Sequence, residues 1–303
     1  MTDMKINFCG VEFKNPIVTA SGTFGFGMEY SEFAPLEEYG GIGAKGLTRV
    51  PREGNPPPRI AETPSGILNS IGLQNPGVEH FANNIMPILA EYDTNVIVNI
   101  SGNTIEEYCE MAEIISATDA AVVELNISCP NVKHGGLVFG TDANVVNSLT
   151  KEVRKHCTKP LVVKLSPNVT SITEIAKAAE DGGADGLSLI NTLLGMKIDI
   201  ETRRPILKNN PGGLSGPAVK PVAVRMIHEV HNAVKLPLIG MGGVMTGNDV
   251  IELMIAGASL VALGTSLFAK PNLIYDVKKD MQSYMERHGI EDINTIIGAA
   301  QMW

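Results

Sequence analysis

Cysteine is scarce and scattered in this chain of 303 residues: Cys9, Cys109, Cys129 and Cys157 stand far apart, and none belongs to a C-x-x-C pair. Neither a zinc knuckle nor an iron–sulfur cluster is encoded, no metal site is expected, and the thiols should be reduced. No stretch approaches the ~18 apolar residues of a membrane helix. The opening MTDMKINFCG lacks the charged start and apolar core of a secretory signal, so no membrane partner and a cytoplasmic location are the expectations. Positive charge is in deficit as well. With 24 basic against 33 acidic residues and a formal charge of -9, a nucleic-acid or anionic-membrane partner is disfavoured, although local basic sites remain possible anion binders. No Ser/Pro-rich spacer, charge block or short repeat marks a linker, and a hydrophobic fraction of 44% suffices for a large core. One domain over 1–303 is the expectation, since single α/β barrels commonly reach this length.

What is present is a regular series of short apolar runs, each closed by Gly, Asn or Ser and followed by a helical pattern. The runs are Ile17–Ser21, Gly41–Gly46, Val96–Ser101, Ala121–Ser128, Leu161–Ser166, Gly186–Asn191, Leu236–Gly242 and Leu260–Gly264. They are apolar throughout rather than alternating, as strands covered on both faces should be. The clearest helical patterns cover Ile105–Ala117, Asn144–His156, Ile172–Asp181, Pro217–His231 and Gly247–Ala256. Eight parallel strands with intervening helices predict an α/β fold, a single (β/α)8 TIM barrel. Ile6–Asn15, turning at Cys9-Gly10, predicts an N-terminal β-hairpin under the barrel. Thr48–Pro76 and Thr192–Gly216 read as long elaborated loops at the C-terminal face, a length that is usually functional.

Barrel enzymes carry their chemistry at the C-terminal strand ends. Here those ends offer Ser21, Lys45, Asn99, Asn126 with Cys129, Lys164, Asn191 with Thr192, Gly242 with Gly243, and Gly264 with Thr265. Cys129 is the most pointed of these. It stands between two amides in Asn126-Ile127-Ser128-Cys129-Pro130-Asn131, the proline breaks the strand, and 132–140 reads as a flap. Such a thiol is either a nucleophile or general base, or a small buried hydrophobe. The glycines that close the seventh and eighth runs predict a backbone cradle for a phosphate. Two lysines at one mouth call for an anionic or electron-accepting group between them, and the asparagines suit a flat ring rich in N–H and C=O groups, although each singly also reads as a turn cap.

The motifs TASGTFGFG (Thr19–Gly27), GAKGLT (Gly43–Thr48), NSIGLQNPG (Asn69–Gly77), ELNISCPNVKHGG (Glu124–Gly136), KLSPN (Lys164–Asn168), LINTLLGM (Leu189–Met196), GGLSGPAVKP (Gly212–Pro221), GMGGV (Gly240–Val244) and LGTS (Leu263–Ser266) span the whole chain. Together they resemble class 1 dihydroorotate dehydrogenases. NVKHGG and NNPGGLSGPAVKP (Asn209–Pro221) look like the NAD-linked class 1B catalytic subunit.

That resemblance implies one FMN per subunit, contacted by Ser21, Lys45, Gly46, Asn99, Asn126, Lys164, Ile190, Gly216, Gly242, Gly243, Gly264 and Thr265. It implies a pyrimidine, dihydroorotate or orotate, held by Lys45, Asn69, Ser70, Ile71, Gly72, Leu73, Asn126, Asn131, Asn191 and Thr192. Cys129 is the implied base for the C5 proton of (S)-dihydroorotate, with the C6 hydride passing to the flavin in de novo pyrimidine (UMP) synthesis. A free thiol titrates near ~8.5, so activity is expected to rise with pH. Lys164 is expected to stabilise reduced flavin and Lys45 to pair with the substrate carboxylate or the flavin. Lacking cluster cysteines and a nucleotide fingerprint, the chain would reach NAD only through a partner carrying FAD and a 2Fe-2S cluster. The implied assembly is a homodimer of catalytic chains flanked by two such subunits, a heterotetramer. Alternatives are a class 1A-like enzyme using fumarate, a dihydropyrimidine dehydrogenase-like barrel acting on uracil, a colourless aldolase or lyase with Lys164 as Schiff base, and a non-catalytic scaffold.

Overall fold

A computed structural model describes residues 2–128 and 139–303. Cys129, Asn131 and positions 132–138 of the expected flap lie outside the described residues.

Chain order begins with β1 (Ile6–Phe8) and β2 (Val11–Phe13), an antiparallel hairpin whose turn residues Cys9 and Gly10 have φ of 52° and 84°. Positive φ at both central positions is what a tight hairpin of this twist requires. Phe8 and Phe13 are fully buried and meet edge to face, with ring centroids 6.1 Å apart. They plug the bottom of the barrel. A side chain on Gly41 would strike Phe13 at 2.8 Å, and one on Gly186 would strike Cys9 Sγ at 2.9 Å and Phe8 at 3.0 Å, so glycine starts the two strands against which the plug presses.

Next come β3 (Ile17–Thr19), β4 (Gly41–Leu47), β5 (Ile60–Thr63), β6 (Gly66–Asn69), the short α1 (Val78–His80) and α2 (Met86–Leu89), β7 (Asn95–Ile100), α3 (Ile105–Ser116) and β8 (Val122–Asn126). They are followed by α4 (Ala143–His156), β9 (Leu161–Lys164), α5 (Ile172–Asp181), β10 (Gly186–Leu189), β11 (Leu193–Gly195), β12 (Ile198–Asp199), β13 (Arg204–Pro205) and β14 (Gly212–Ser215). The chain ends with α6 (Lys220–Ala233), β15 (Leu238–Met241), α7 (Gly247–Ala256), β16 (Leu260–Leu263), α8 (Ser266–Ala269) and α9 (Leu273–His288). Strands β3, β4, β7, β8, β9, β10, β15 and β16 close into an eight-stranded parallel barrel, as expected, with ends one to three residues inside most of the apolar runs.

Helices start where side chains satisfy the free N–H groups of the first turn. Thr104 accepts from Glu107 N, Asp142 from Asn144 N and Val145 N, and Ser171 from Glu174 N, while Thr246 and Asp249 form a reciprocal capping box on α7. Their apolar faces pack on the strands in one continuous core that runs from Ile6 to Ile296.

Two features depart from the sequence reading. The expected loops Thr48–Pro76 and Thr192–Gly216 are not merely loops: β6 from the first pairs with β14 from the second, within a four-stranded antiparallel sheet of order β11-β14-β6-β5. Its small core, Ala61, Leu68 and Leu207, was invisible because these partners lie far apart in sequence. Strand β4 also carries a bulge: Ala44 pairs with Val98 but Leu47 with Ile100, so Lys45 and Gly46 together oppose Asn99. An extra residue there re-aims the strand end.

Phe8→Ala removes the plug's largest contact and is expected to cost about 3–5 kcal/mol, read as a fall in the urea midpoint at unchanged slope.

Candidate active site

Parallel strands end together, so the mouth collects whatever follows each strand. A cavity of about 780 Å³ opens there, roofed by the antiparallel sheet through Ile67, Asn69, Leu194, Gly213 and Ser215. Of the residues singled out in the sequence, Ser21, Lys45, Asn69, Ser70, Ile71, Gly72, Leu73, Asn126, Lys164, Ile190, Asn191, Thr192, Gly216, Gly242, Gly243, Gly264 and Thr265 line it. Gly46 and Asn99 do not. They sit behind the lining, where a side chain on Gly46 would come within 2.6 Å of Asn99 Oδ1. Ser128, the described residue that precedes position 129 in the chain, lines the cavity.

The residue that sequence reasoning overlooked is Glu124. It lies inside the barrel on β8, 4% exposed, with donors from four other parts of the barrel converging on it. Its Oε1 accepts from Ser188 Oγ at 2.6 Å; its Oε2 accepts from Asn99 Nδ2 at 2.6 Å and, more loosely, from Ser21 Oγ at 3.5 Å. Lys164 Nζ lies 3.7 Å from Oε2 and donates to Ser21 Oγ at 3.2 Å. A signal existed, since one acidic residue interrupts the apolar run Ala121–Leu125, but its partners come from β3, β7, β9 and β10 and only barrel closure joins them.

The two lysines thus differ. Lys164 has a protein counter-charge, whereas Lys45 Nζ has no hydrogen-bond or ion-pair partner among the described residues. Burial lowers the pKa of Lys45, and Arg59 adds like-charge repulsion. An anion bound opposite Lys45 favours its charged form, so affinity for that anion falls as pH rises through the lowered value.

Other contacts hold the rim rigid. Asn126 Oδ1 accepts from Ser128 N at 3.2 Å and Asn191 Nδ2 at 3.4 Å, and Asn126 O accepts from Tyr108 Oη at 2.7 Å. Thr265 Oγ1 bonds Ser215 Oγ at 2.7 Å, tying the end of β16 to the roof.

Unsatisfied polar atoms concentrate here. Of the five buried side-chain oxygens without a hydrogen-bond partner among the described residues, Ser70, Ser128 and Ser266 line the cavity and Asn99 Oδ1 lies behind it; Thr63 is the exception. Such groups cost free energy unless a polar ligand satisfies them. A cradle is present as well: a Cβ on Gly264 would meet nothing closer than Ala20 Cβ at 3.6 Å, so the fold itself has no need of glycine there. Gly243 is different, with φ of 75° and Lys220 Cβ 2.6 Å from a built Cβ. The donor set fits a phosphate-bearing flat heterocycle such as FMN. Among the described residues no cluster of His, Cys, Asp or Glu is arranged to hold a metal ion, and no helix is long and apolar enough to cross a membrane.

Fold and site together define a (β/α)8 barrel with a polar, lysine-bearing pocket at its C-terminal mouth. The dihydroorotate dehydrogenase family profile matches residues 3–285, and the chain belongs to that family. It is 56% identical over 297 residues to the dihydroorotate dehydrogenase B (NAD(+)) catalytic subunit of Alkaliphilus metalliredigens, covering 98% of each chain. It is 52% identical over 303 residues to the protein of that name from Bacteroides thetaiotaomicron, with both chains covered completely. The protein of that name from Thermoanaerobacter pseudethanolicus is 52% identical over 300 residues, 99% of each chain.

Gly264→Ala is expected to leave thermal unfolding unchanged while lowering FMN affinity at least tenfold, measured by fluorescence titration of the apoprotein. Equal affinity would mean that no ligand uses that space.

Proposed function

We propose that this chain is the catalytic subunit of an NAD-linked dihydroorotate dehydrogenase, one unit over 1–303 that oxidises (S)-dihydroorotate to orotate in pyrimidine synthesis. The observation that carries the reading is the mouth cavity, where Lys45, a compensated Lys164 and polar atoms that have no partner among the described residues surround space for a ring and its phosphate. FMN bound there supplies two-electron, hydride-accepting chemistry.

The chain's own groups divide the remaining work. Gly242, Gly243, Gly264 and Thr265 take the phosphate through backbone N–H groups, and Lys164 offers positive charge where electrons arrive. Lys45 receives the substrate carboxylate, which supplies the anion its buried ammonium lacks. Asn69, Asn126 and Asn191, with Asn131 beyond the described residues, fix the pyrimidine ring, aided by Ser70–Leu73 and Thr192. Cys129 takes the C5 proton as thiolate. Ser21, Ile190 and Gly216 complete the flavin's surroundings, backed by Gly46 and Asn99 behind the lining. The 132–140 flap excludes water during transfer.

The Schiff-base alternative is poorly supported, because Lys164 is a buried ammonium engaged by Glu124 and Ser21. Onward electron flow goes to a partner with FAD and a 2Fe-2S cluster, since this chain has no cluster cysteines of its own. The exposed apolar residues Leu194, Met196, Ile198 and Ile200 support an interface with another chain, which this reading assigns to a homodimer of catalytic chains; the assembly it infers is a cytoplasmic heterotetramer.

Dihydroorotate added anaerobically is expected to bleach a yellow protein, with NAD reduced only after the electron-transfer subunit is supplied. A colourless protein, or one bleached by uracil's dihydro form instead, overturns the reading. Cys129→Ser is expected to retain FMN and lose at least ~100-fold in turnover at neutral pH, the scale of a missing general base, measured by stopped-flow flavin absorbance.

A further inference from the structure

Charge is rare inside a barrel because taking an ion out of water costs several kcal/mol even after relaxation. This barrel buries two, Glu124 and Lys164, each 4% exposed and 3.7 Å apart. Both carboxylate oxygens act only as acceptors: Ser188 donates to one, while Asn99, Ser21 and the lysine face the other. A glutamine would put an N–H2 group among these donors, so the position calls for an acceptor on both sides. The same demand orients Asn99. Its N–H2 must face Glu124, which turns Oδ1 toward Gly46, where it has no partner among the described residues.

We propose that Glu124 is a positioning residue whose carboxylate compensates the buried Lys164 ammonium and thereby sets the reduction potential of the flavin in this cavity. The inference rests on the functional reading above. Lys164 by itself favours the electron-rich, anionic state of a bound flavin and would hold electrons once they arrive. A carboxylate 3.7 Å from its ammonium removes much of that bias, and the pair adds no net charge to the site before reduction. Acceptance from the substrate and release to the partner are both served by an intermediate potential. Glu124 is not among the residues that line the cavity, and it acts through Lys164 and Asn99, of which Lys164 does line it.

The test is the flavin midpoint potential of holoprotein, measured by dye-linked equilibration, in wild type, Glu124→Gln, Lys164→Gln and the double variant. Glu124→Gln is expected to shift it positive by at least tenfold in the reduction equilibrium, about 30 mV for a two-electron couple. Lys164→Gln is expected to shift it negative, and the double variant, which restores the wild-type net charge, to return near the starting value. General damage to the pocket does not produce opposite shifts that cancel. If Glu124→Gln does not fold, the step from Lys164→Gln to the double variant carries the same sign test. An unchanged or more negative potential in Glu124→Gln, or a double variant no closer to wild type than Lys164→Gln, overturns the inference while the functional reading stands. Failure of wild-type protein to bind any flavin overturns both.

Discussion

The parallel ladder that joins β16 back to β3, pairing Val261, Ala262 and Leu263 with Ile17, Val18 and Thr19, closes the barrel, and the site depends on that closure. Closed parallel strands satisfy one another's backbone groups, so the rim is left to side chains and to the amides just past each strand. All eight ends therefore face one mouth. The aromatic hairpin seals the opposite end, where Gly41 and Gly186 leave room for Phe13 and Phe8, and the interior is filled rather than hollow. Ligand space exists only above that filling, beneath a roof that two long excursions build together.

Within this frame, burial assigns different tasks to chemically identical groups. Lys164 ends β9 and Lys45 lies within β4, two apolar strands of the barrel, yet Lys164 is held by a carboxylate and Lys45 has no partner among the described residues. The first is a permanent part of the protein's charge balance, whereas the second awaits an anion from outside. The bulge that places Lys45 and Gly46 opposite Asn99 links the two, because Asn99 belongs to the carboxylate's hydrogen-bond set while abutting the strand that carries Lys45.

Much of this was legible before the structure. The strands announce themselves because burial on both faces leaves near-continuous apolar runs such as Leu161–Lys164 and Leu260–Leu263. Residues of the mouth were readable by position, since in a barrel the strand ends share one opening. The roof sheet was not readable: β5, β6, β11 and β14 are short and weakly patterned, and the β6–β14 pairing that joins the two excursions links residues more than a hundred positions apart, such as Asn69 and Gly213. The bulge in β4 escaped for a related reason, as its register exists only relative to β7.

By itself the sequence determined the barrel, the rim residues, the glycines that end the last two strands and the family resemblance, because these follow from local apolar periodicity and from residue types next to strand ends. Only the tertiary structure decided that Glu124 faces inward among Ser188, Asn99, Ser21 and Lys164, that Lys45 stands unpaired among the described residues, and that two loops form one roof. Those are relations among segments distant in the chain, and electrostatic pairing depends on through-space distance, which the order of residues does not record.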